Sequence, residues 1–220
     1  IDEPAMIYFP RPASYRLLAD KQDDAQVVCA SVKYGSESRS PLANTLPPLI
    51  IIKLADVKSL QAVKALLIDE AFQQHNGRAA IMDRLIEILV IALLRHVIDS
   101  GLVSQGMLAG LAHPQLSKAI MAVHGSPNHN WSLEGLAEIS AMSRAKFAKL
   151  FHEYVGQTPC DYILEWRVTI AQNHLKRGKD VGWIANEVGY ETSSAFARVF
   201  RKKTSYSPKQ WLKLQVQPSI

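Results

Sequence analysis

Cysteine is almost absent from this sequence, which holds only Cys29 and Cys160 among its 220 residues. Two thiols are too few for a disulfide scaffold or a four-cysteine zinc site, and they fit a reducing cytosol. Glycine and proline, at 11 residues each, are too scarce for a collagen-like or low-complexity chain. We therefore expect a cytoplasmic, globular protein without a structural metal.

Long apolar runs are also missing. The most apolar stretch, Ile88–Leu94, is seven residues long, whereas a membrane span needs about 20. No basic N-terminal stretch or A-x-A cleavage site is present, and we expect no membrane partner. A hydrophobic share of 48% still allows a folded core and excludes wholesale disorder. Because the sequence begins at Ile1 and continues at once into strand-like residues, we expect that an N-terminal part is missing.

Negative charge is scarce in the second half of the chain. Residues 113–220 contain 14 Lys and Arg against 8 Asp and Glu, a net charge of +6. Residues 1–112 contain 11 Lys and Arg against 12 Asp and Glu, a net charge of −1. A basic surface attracts nucleic acid, because neutralising its phosphates releases counterions. Nucleic-acid binding is one interpretation of the second half, and an ordinary soluble surface is the other.

Three regions differ in their hydrophobic pattern. Residues 1–56 are predicted to form short strands, residues 57–105 a pair of helices, and residues 113–214 helices alone. The expected strands are Ala5–Phe9, Tyr15–Leu18, Val27–Tyr34 and Leu49–Leu54. The second helix of the pair, about Ala79–Asp99, is apolar around most of its circumference. It is therefore expected either to pack inside its own domain or to form a dimer interface.

A repeat in the third region gives the strongest signal. Phe147–Phe151 recurs as Phe196–Phe200 at an offset of 49 residues, and Thr158-Pro159 recurs as Ser207-Pro208 at the same offset. Each copy has the pattern of a helix, a tight turn, a second helix and a new helix start, which is typical of a helix-turn-helix unit. One copy would fit an ordinary helical bundle, but two copies at a fixed spacing indicate tandem DNA-binding units.

The helices after the two turns, about 143–155 and 193–203, are the candidate recognition helices. Their faces opposite the phenylalanines are small or basic, as insertion into a major groove about 12 Å wide requires. The predicted DNA-binding residues are Arg144, Ala145, Lys146, Ala148, Lys149, Ser193, Ser194, Ala197, Arg198, Arg201 and Lys202. The intervening helix, from about Pro159 to Lys176, would span about 27 Å, near the roughly 34 Å of one duplex turn.

A series of motifs runs through the third region in a fixed order. These are Leu136-Ala137, Met142-Ser143, Phe147, Lys149, Phe151, Gly156, Thr158-Pro159, Tyr162, Arg167-Val168, Ala171, Ile184-Ala185, Val188-Gly189-Tyr190, Phe196, Arg198, Phe200 and Ser207-Pro208. In this order, residues 113–214 resemble the DNA-binding domain of the AraC/XylS regulators. The resemblance implies a transcriptional regulator that binds double-stranded promoter DNA, with a homodimer and RNA polymerase as expected partners. Ser205 stands where the family usually has glycine, and a left-handed cap without glycine costs about 1 kcal/mol.

The first region resembles the end of the cupin-like sensor domain of the same regulators. The resemblance rests on Phe9-Pro10, the strand around Val28-Cys29-Ala30, and Leu42 with Leu46-Pro47-Pro48. The implied fold class is α+β, with a partial cupin-like β-barrel sensor region, a helical linker pair and an all-α tandem helix-turn-helix domain.

Residues 1–74 contain no histidine, although cupin metal sites depend on histidine clusters. We therefore expect no metal, no other cofactor and no catalytic residue. A cupin-fold enzyme with an appended helical module is the alternative function, and a nucleic-acid-binding subunit without a sensor is a third.

The remaining reactive side chains have two interpretations each. Cys29 is either a buried, inert thiol on an apolar strand or a redox-sensing thiol, and Cys160 is expected to be structural. An effector is expected, either a small molecule or a redox signal, but its identity is unknown. Solvent-exposed or helix-capping roles are expected for His113, His124, His129 and His152.

Overall fold

A computed structural model describes residues 3–18, 25–32, 46–73 and 75–216. They form two compact units, which comprise the described residues up to Val103 and those from Ser104 onward. The first unit contains a small sheet and two helices, and the second contains helices alone. This arrangement confirms the expected α+β class.

The sheet of the first unit has two antiparallel strands in the described residues. β1 (Ala5–Tyr8) pairs with β2 (Ile50–Lys53), with Ala5 opposite Lys53. Ile50 and Ile52 are buried and Ile51 is exposed, because successive side chains of a strand point to opposite faces. The strands predicted over 5–9 and 49–54 are thus confirmed, each slightly shorter than expected.

The two other predicted strands are wrong where the structure describes them. Residues 15–18 and 25–32 form no strand, while the end of Val27–Tyr34 lies outside the described residues, as does Leu42. A strand needs a partner for its backbone ladder, and an apolar, β-branched composition does not provide one. Cys29 is therefore exposed and lies on no strand, which corrects its expected burial.

The predicted helix pair is present. α1 (Lys58–Phe72) packs against α2 (Arg78–Asp99). Gly77 begins α2 with a positive φ of 81°, which glycine adopts without strain. The Arg78 guanidinium donates a hydrogen bond from Nη2 to the carbonyl of Ala71, 2.7 Å away, and so closes the turn between the helices.

The apolar residues of α2 fall on more than one face. Leu85, Leu93 and Val97 are buried in the first unit. Three isoleucines remain partly exposed, namely Ile81 at 37%, Ile88 at 48% and Ile91 at 51%. α2 is therefore apolar on its packed face and carries apolar side chains on its exposed face as well.

The second unit contains eight helices within the described residues. They are α3 (Met107–Ala112), α4 (Leu116–Gly125), α5 (Leu133–Ile139), α6 (Arg144–Val155), α7 (Pro159–Lys176), α8 (Val181–Glu187), α9 (Ser193–Thr204) and α10 (Pro208–Val216). α3 was not predicted. A Cβ atom on its Gly110 would lie 2.6 Å from Ile120 Cδ1 and 2.8 Å from Val155 Cγ2. Glycine thus lets α3 pack closely against α4 and α6.

Side-chain caps define where most of these helices begin. Each of five caps accepts a hydrogen bond from a backbone N–H in the first turn, namely Ser132, Ser143, Thr158, Asp180 and Thr192. A cap of this kind stabilises a helix by about 1 kcal/mol. Ser205 ends α9 with φ 68°, as the sequence predicted.

The start of α4 is set by His113. Proline is common at the first position of a helix, yet α4 begins at Leu116, two residues after Pro114. His113 Nδ1 accepts hydrogen bonds from the N–H groups of Gln115 and Leu116, at 3.2 and 3.3 Å. This imidazole satisfies the first free N–H groups, so the helix begins after Pro114. The expected capping role of His113 is confirmed.

Two separate aromatic cores follow the sequence repeat. In the first, Phe147 and Phe151 lie 5.5 Å apart between ring centroids, and Phe151 lies 5.5 Å from Tyr162. In the second, Phe196 and Phe200 also lie 5.5 Å apart, and Trp211 lies 6.0 Å from Phe200. Each helix-turn-helix unit therefore has its own core, and α7 contributes residues to both.

Candidate nucleic-acid interface

The exposed face of α6 is small and basic. Arg144, Ala145, Lys146 and Lys149 are exposed, and Ala148 is partly exposed. The buried face of the same helix carries the two phenylalanines of the first core. With about 3.6 residues per turn, Ala145 and Lys149 lie opposite the phenylalanines, and Lys146 and Ala148 flank them. These four residues therefore share one accessible surface, and Arg144, one turn before Phe147, lies at its edge.

The exposed face of α9 repeats this arrangement with more charge. Arg198, Arg201 and Lys202 are exposed, as are Ser193 and Ser194. Ala197, the residue equivalent to Ala148, is partly exposed. Arginine can donate two hydrogen bonds to guanine O6 and N7, and the small side chains let the helix approach the bases. The other predicted residues of α9 thus also lie on one surface, and Ser193, one turn before Phe196, lies at its edge.

The same turn joins the two helices of each unit. The N–H of Met142 donates to the Ala137 carbonyl at 3.0 Å, and the N–H of Tyr190 donates to the Ala185 carbonyl at 2.8 Å. These residues correspond at an offset of 48. The two units are therefore built alike, with α6 and α9 in the position of the recognition helix.

Family comparisons agree with this geometry. Residues 136–214 match the family described as a helix-turn-helix domain, and residues 2–99 match a cupin family. The chain thus combines an AraC-type helix-turn-helix domain with a cupin-type region. It resembles a putative AraC-like transcription regulator of Streptomyces lividans, with 29% identity over 217 residues that cover 96% of this chain and 71% of that protein.

Two further relatives of this chain carry regulator names. The regulator AlkR of Acinetobacter baylyi is 36% identical over 177 residues, which cover 78% of this chain and 58% of AlkR. An HTH-type regulator of Haemophilus influenzae is 31% identical over 191 residues, which cover 86% of this chain and 63% of that protein. The chain thus spans less than two thirds of both. A solved AraC-type DNA-binding domain from Chromobacterium violaceum is 24% identical, with a TM-score of 0.44, and covers 48% of this chain and 96% of its own.

One predicted contact residue of this AraC-type domain is paired within the protein. Arg144 Nη1 lies 2.9 Å from Glu134 Oε1 on α5. Both side chains are well exposed, and exposed ion pairs contribute only about 0–1 kcal/mol. Arg144 can therefore exchange Glu134 for a phosphate or a base at little cost. The corresponding residue of the second helix-turn-helix unit is Ser193, which has no charge to exchange.

Sequence reasoning missed one residue of this surface. His152 is exposed on α6, three residues after Lys149, and lies on the same helical face. The offset of 49 relates it to Arg201, so the repeat itself carried the signal. His152 was expected only to be solvent-exposed or to cap a helix.

A second basic side chain is occupied by an internal contact. Lys203 Nζ lies 3.1 Å from Asp161 Oδ1 and so connects the end of α9 with the start of α7. The hydrogen bond from the Thr158 hydroxyl and the contact with Lys203 hold the pKa of Asp161 below its usual value. Lys203 therefore belongs to the contacts between helices rather than to the exposed basic surface of α9.

His124 is not solvent-exposed, contrary to expectation. Its ring stacks on Trp166 at 3.8 Å between centroids, and its Nε2 lies 2.7 Å from the Tyr162 hydroxyl. Burial lowers the pKa of His124 to about 4 and raises the pKa of Tyr162, since a buried site disfavours the charged form. His124 is thus a neutral packing residue at pH 7. His129 is exposed, as expected.

The described residues contain no group of three or more His, Cys, Asp or Glu side chains placed to hold a metal ion. Among their helices, none combines the length and apolar character needed to cross a membrane. Cys29 and Cys160 are both free thiols and both exposed.

Proposed function

We propose that this chain is a sequence-specific DNA-binding transcriptional regulator that acts in the cytoplasm and is not an enzyme. Two recognition helices, about 143–155 and 193–203, enter successive major grooves of double-stranded promoter DNA. The observation that carries this proposal is the duplicated arrangement of an exposed basic face opposite a separate aromatic core. An ordinary helical bundle does not need two such faces built on the same turn.

The proposed organisation has three parts. Residues 1–56 belong to a cupin-like sensor, residues 57–105 link and dimerise, and residues 113–214 bind DNA. The sensor controls how the two units engage the promoter, with RNA polymerase as a further partner. The effector is a small molecule or an oxidant, and exposure of Cys29 leaves its thiol accessible to the latter.

DNA selection tests the proposal directly. The 220-residue chain should enrich a defined motif from a library of random duplexes. Lys149→Ala and Arg198→Ala should each weaken binding to that motif by about 1–3 kcal/mol and relax the base preference at one position. The two residues are equivalent in the repeat, so the relaxed positions should lie in different halves of the motif.

A matched control separates base contacts from general charge effects. Lys118 is exposed on α4, away from both recognition helices in sequence, and Lys118→Ala should leave the base preference unchanged. Uniform weakening on all duplexes by Lys149→Ala and Arg198→Ala would assign both residues to phosphates and contradict their base-reading role. Failure of the chain to enrich any duplex would contradict the proposed function.

We also propose that α2 mediates a homodimer, through the partly exposed isoleucines at 81, 88 and 91. A glutamate at an interface is left unpaired and desolvated, which opposes association. Ile91→Glu should therefore convert a dimer to a monomer while helicity is retained, as measured by analytical ultracentrifugation and circular dichroism.

The dimer proposal has a control in the same unit. Leu102 is 51% exposed just beyond α2, so Leu102→Glu adds the same charge away from the isoleucine face and should leave the dimer intact. Unfolding of Ile91→Glu would show that this face is internal core instead. A wild-type chain that is monomeric at high micromolar concentration would contradict the proposal for this chain.

A further inference from the structure

Arg167 connects α7 to the first helix-turn-helix unit. It lies in the middle of α7 and reaches the segment between α4 and α5. Its Nε donates to the Pro127 carbonyl at 2.8 Å, and its Nη2 donates to the His129 carbonyl at 2.9 Å. Two bonds from one rigid guanidinium fix the direction of the segment as well as its distance.

The same segment touches the turn of the second helix-turn-helix unit. Gly189 lies in that turn, and a Cβ atom added to it would lie 2.6 Å from the Asn128 carbonyl oxygen and 2.9 Å from Arg167 Nη2. The Arg167 guanidinium carbon also lies 5.4 Å from the ring centroid of Tyr190, within the range of a cation–π contact. Arg167 therefore contacts both units at once.

The requirement for glycine at this turn comes from packing as well as from backbone conformation. Ala141 occupies the equivalent position of the first helix-turn-helix unit and has a positive φ of 50°. The conformation alone thus admits alanine, at modest strain. What distinguishes Gly189 is the backbone of Asn128, which occupies the space that a side chain would need.

We propose that Arg167, together with Gly189, is a positioning residue that fixes the angle and distance between the two recognition helices. This proposal rests on the DNA-binding function proposed above. The two helix-turn-helix units have separate cores, so α7, the Lys203–Asp161 ion pair and the Arg167 contacts orient one relative to the other. A fixed orientation selects one spacing between the two half-motifs in DNA, because each added base pair displaces and rotates the second half-motif.

Binding to spacing variants of the selected duplex tests this role. For the wild-type chain, one base pair inserted between the half-motifs should weaken binding roughly tenfold, since one unit then meets its groove out of register. Arg167→Gln should lower affinity for the original duplex and reduce the insertion penalty to about twofold, because the second unit can then adjust. Gly189→Ala should act in the same direction without removing a charge.

Two control variants accompany the test. Arg177→Gln removes an exposed charge just after the same helix, and Ala141→Gly changes the equivalent turn without new contacts. Both should keep the wild-type insertion penalty. The penalty is a ratio of two affinities, so partial misfolding does not alter it. An unchanged penalty in both Arg167→Gln and Gly189→Ala would overturn the proposal, whereas failure of the wild-type chain to select any duplex would contradict the proposed function itself.

Discussion

Replacing Phe147 with alanine should lower the free energy of unfolding by about 3–5 kcal/mol, the usual cost of truncating a fully buried phenylalanine. Phe147 has no solvent-exposed surface and packs against Phe151 in the first core. Phe196 has the equivalent position in the second core, with 1% exposure. Phe196→Ala should therefore cost a similar amount.

Urea unfolding followed through tryptophan signals measures both effects. Trp131 and Trp166 pack against the first core, whereas Trp211 is part of the second. The indole N–H resonances of these tryptophans in NMR spectra should therefore show which helix-turn-helix unit unfolds first in each variant. Met121→Ala is the control, since Met121 is 66% exposed and should change stability by about 0.5 kcal/mol or less. A loss below about 1 kcal/mol for either phenylalanine would contradict the two-core description.

The cores could be predicted because they lie in a repeat. Identical phenylalanines at a fixed offset identified the buried face of each recognition helix, and the opposite face then followed from helical geometry. The third aromatic residue of each core was missed. Tyr162 and Trp211 are related by the same offset of 49 residues, but they differ in residue type. The caps at Ser143 and Thr192 follow from local sequence preferences, which act over only a few residues.

The features that sequence reasoning missed depend on distant neighbours. Arg167 is bonded to a carbonyl 40 residues away, and no periodicity encodes such a pairing. Burial of His124 likewise depends on Trp166 of a different helix. In the first region, a strand-like composition could not show which segments would find a partner, and residues 25–32 found none among the described strands.

The affinity of the chain for its selected duplex should fall about a thousandfold when salt is raised from 50 to 200 mM. With about six phosphate contacts, log K should fall with log salt at a slope near −5. The basis is the net charge of +6 on residues 113–220, together with the exposed cations of α6 and α9. Each phosphate neutralised by such a side chain releases a condensed counterion, and added salt opposes that release.

Fluorescence anisotropy of a labelled duplex over a series of KCl concentrations measures this slope. Two adjacent lysines provide a matched pair of variants. Lys202 is exposed on α9, so Lys202→Gln should reduce the slope by about 1. Lys203 forms an ion pair with Asp161, so the charge of Lys203 already has a partner within the protein. Lys203→Gln should therefore change the slope less than Lys202→Gln does. An affinity that does not respond to salt would contradict the electrostatic basis of binding, and equal slopes for the two variants would show that the pairing of Lys203 does not keep it from the DNA.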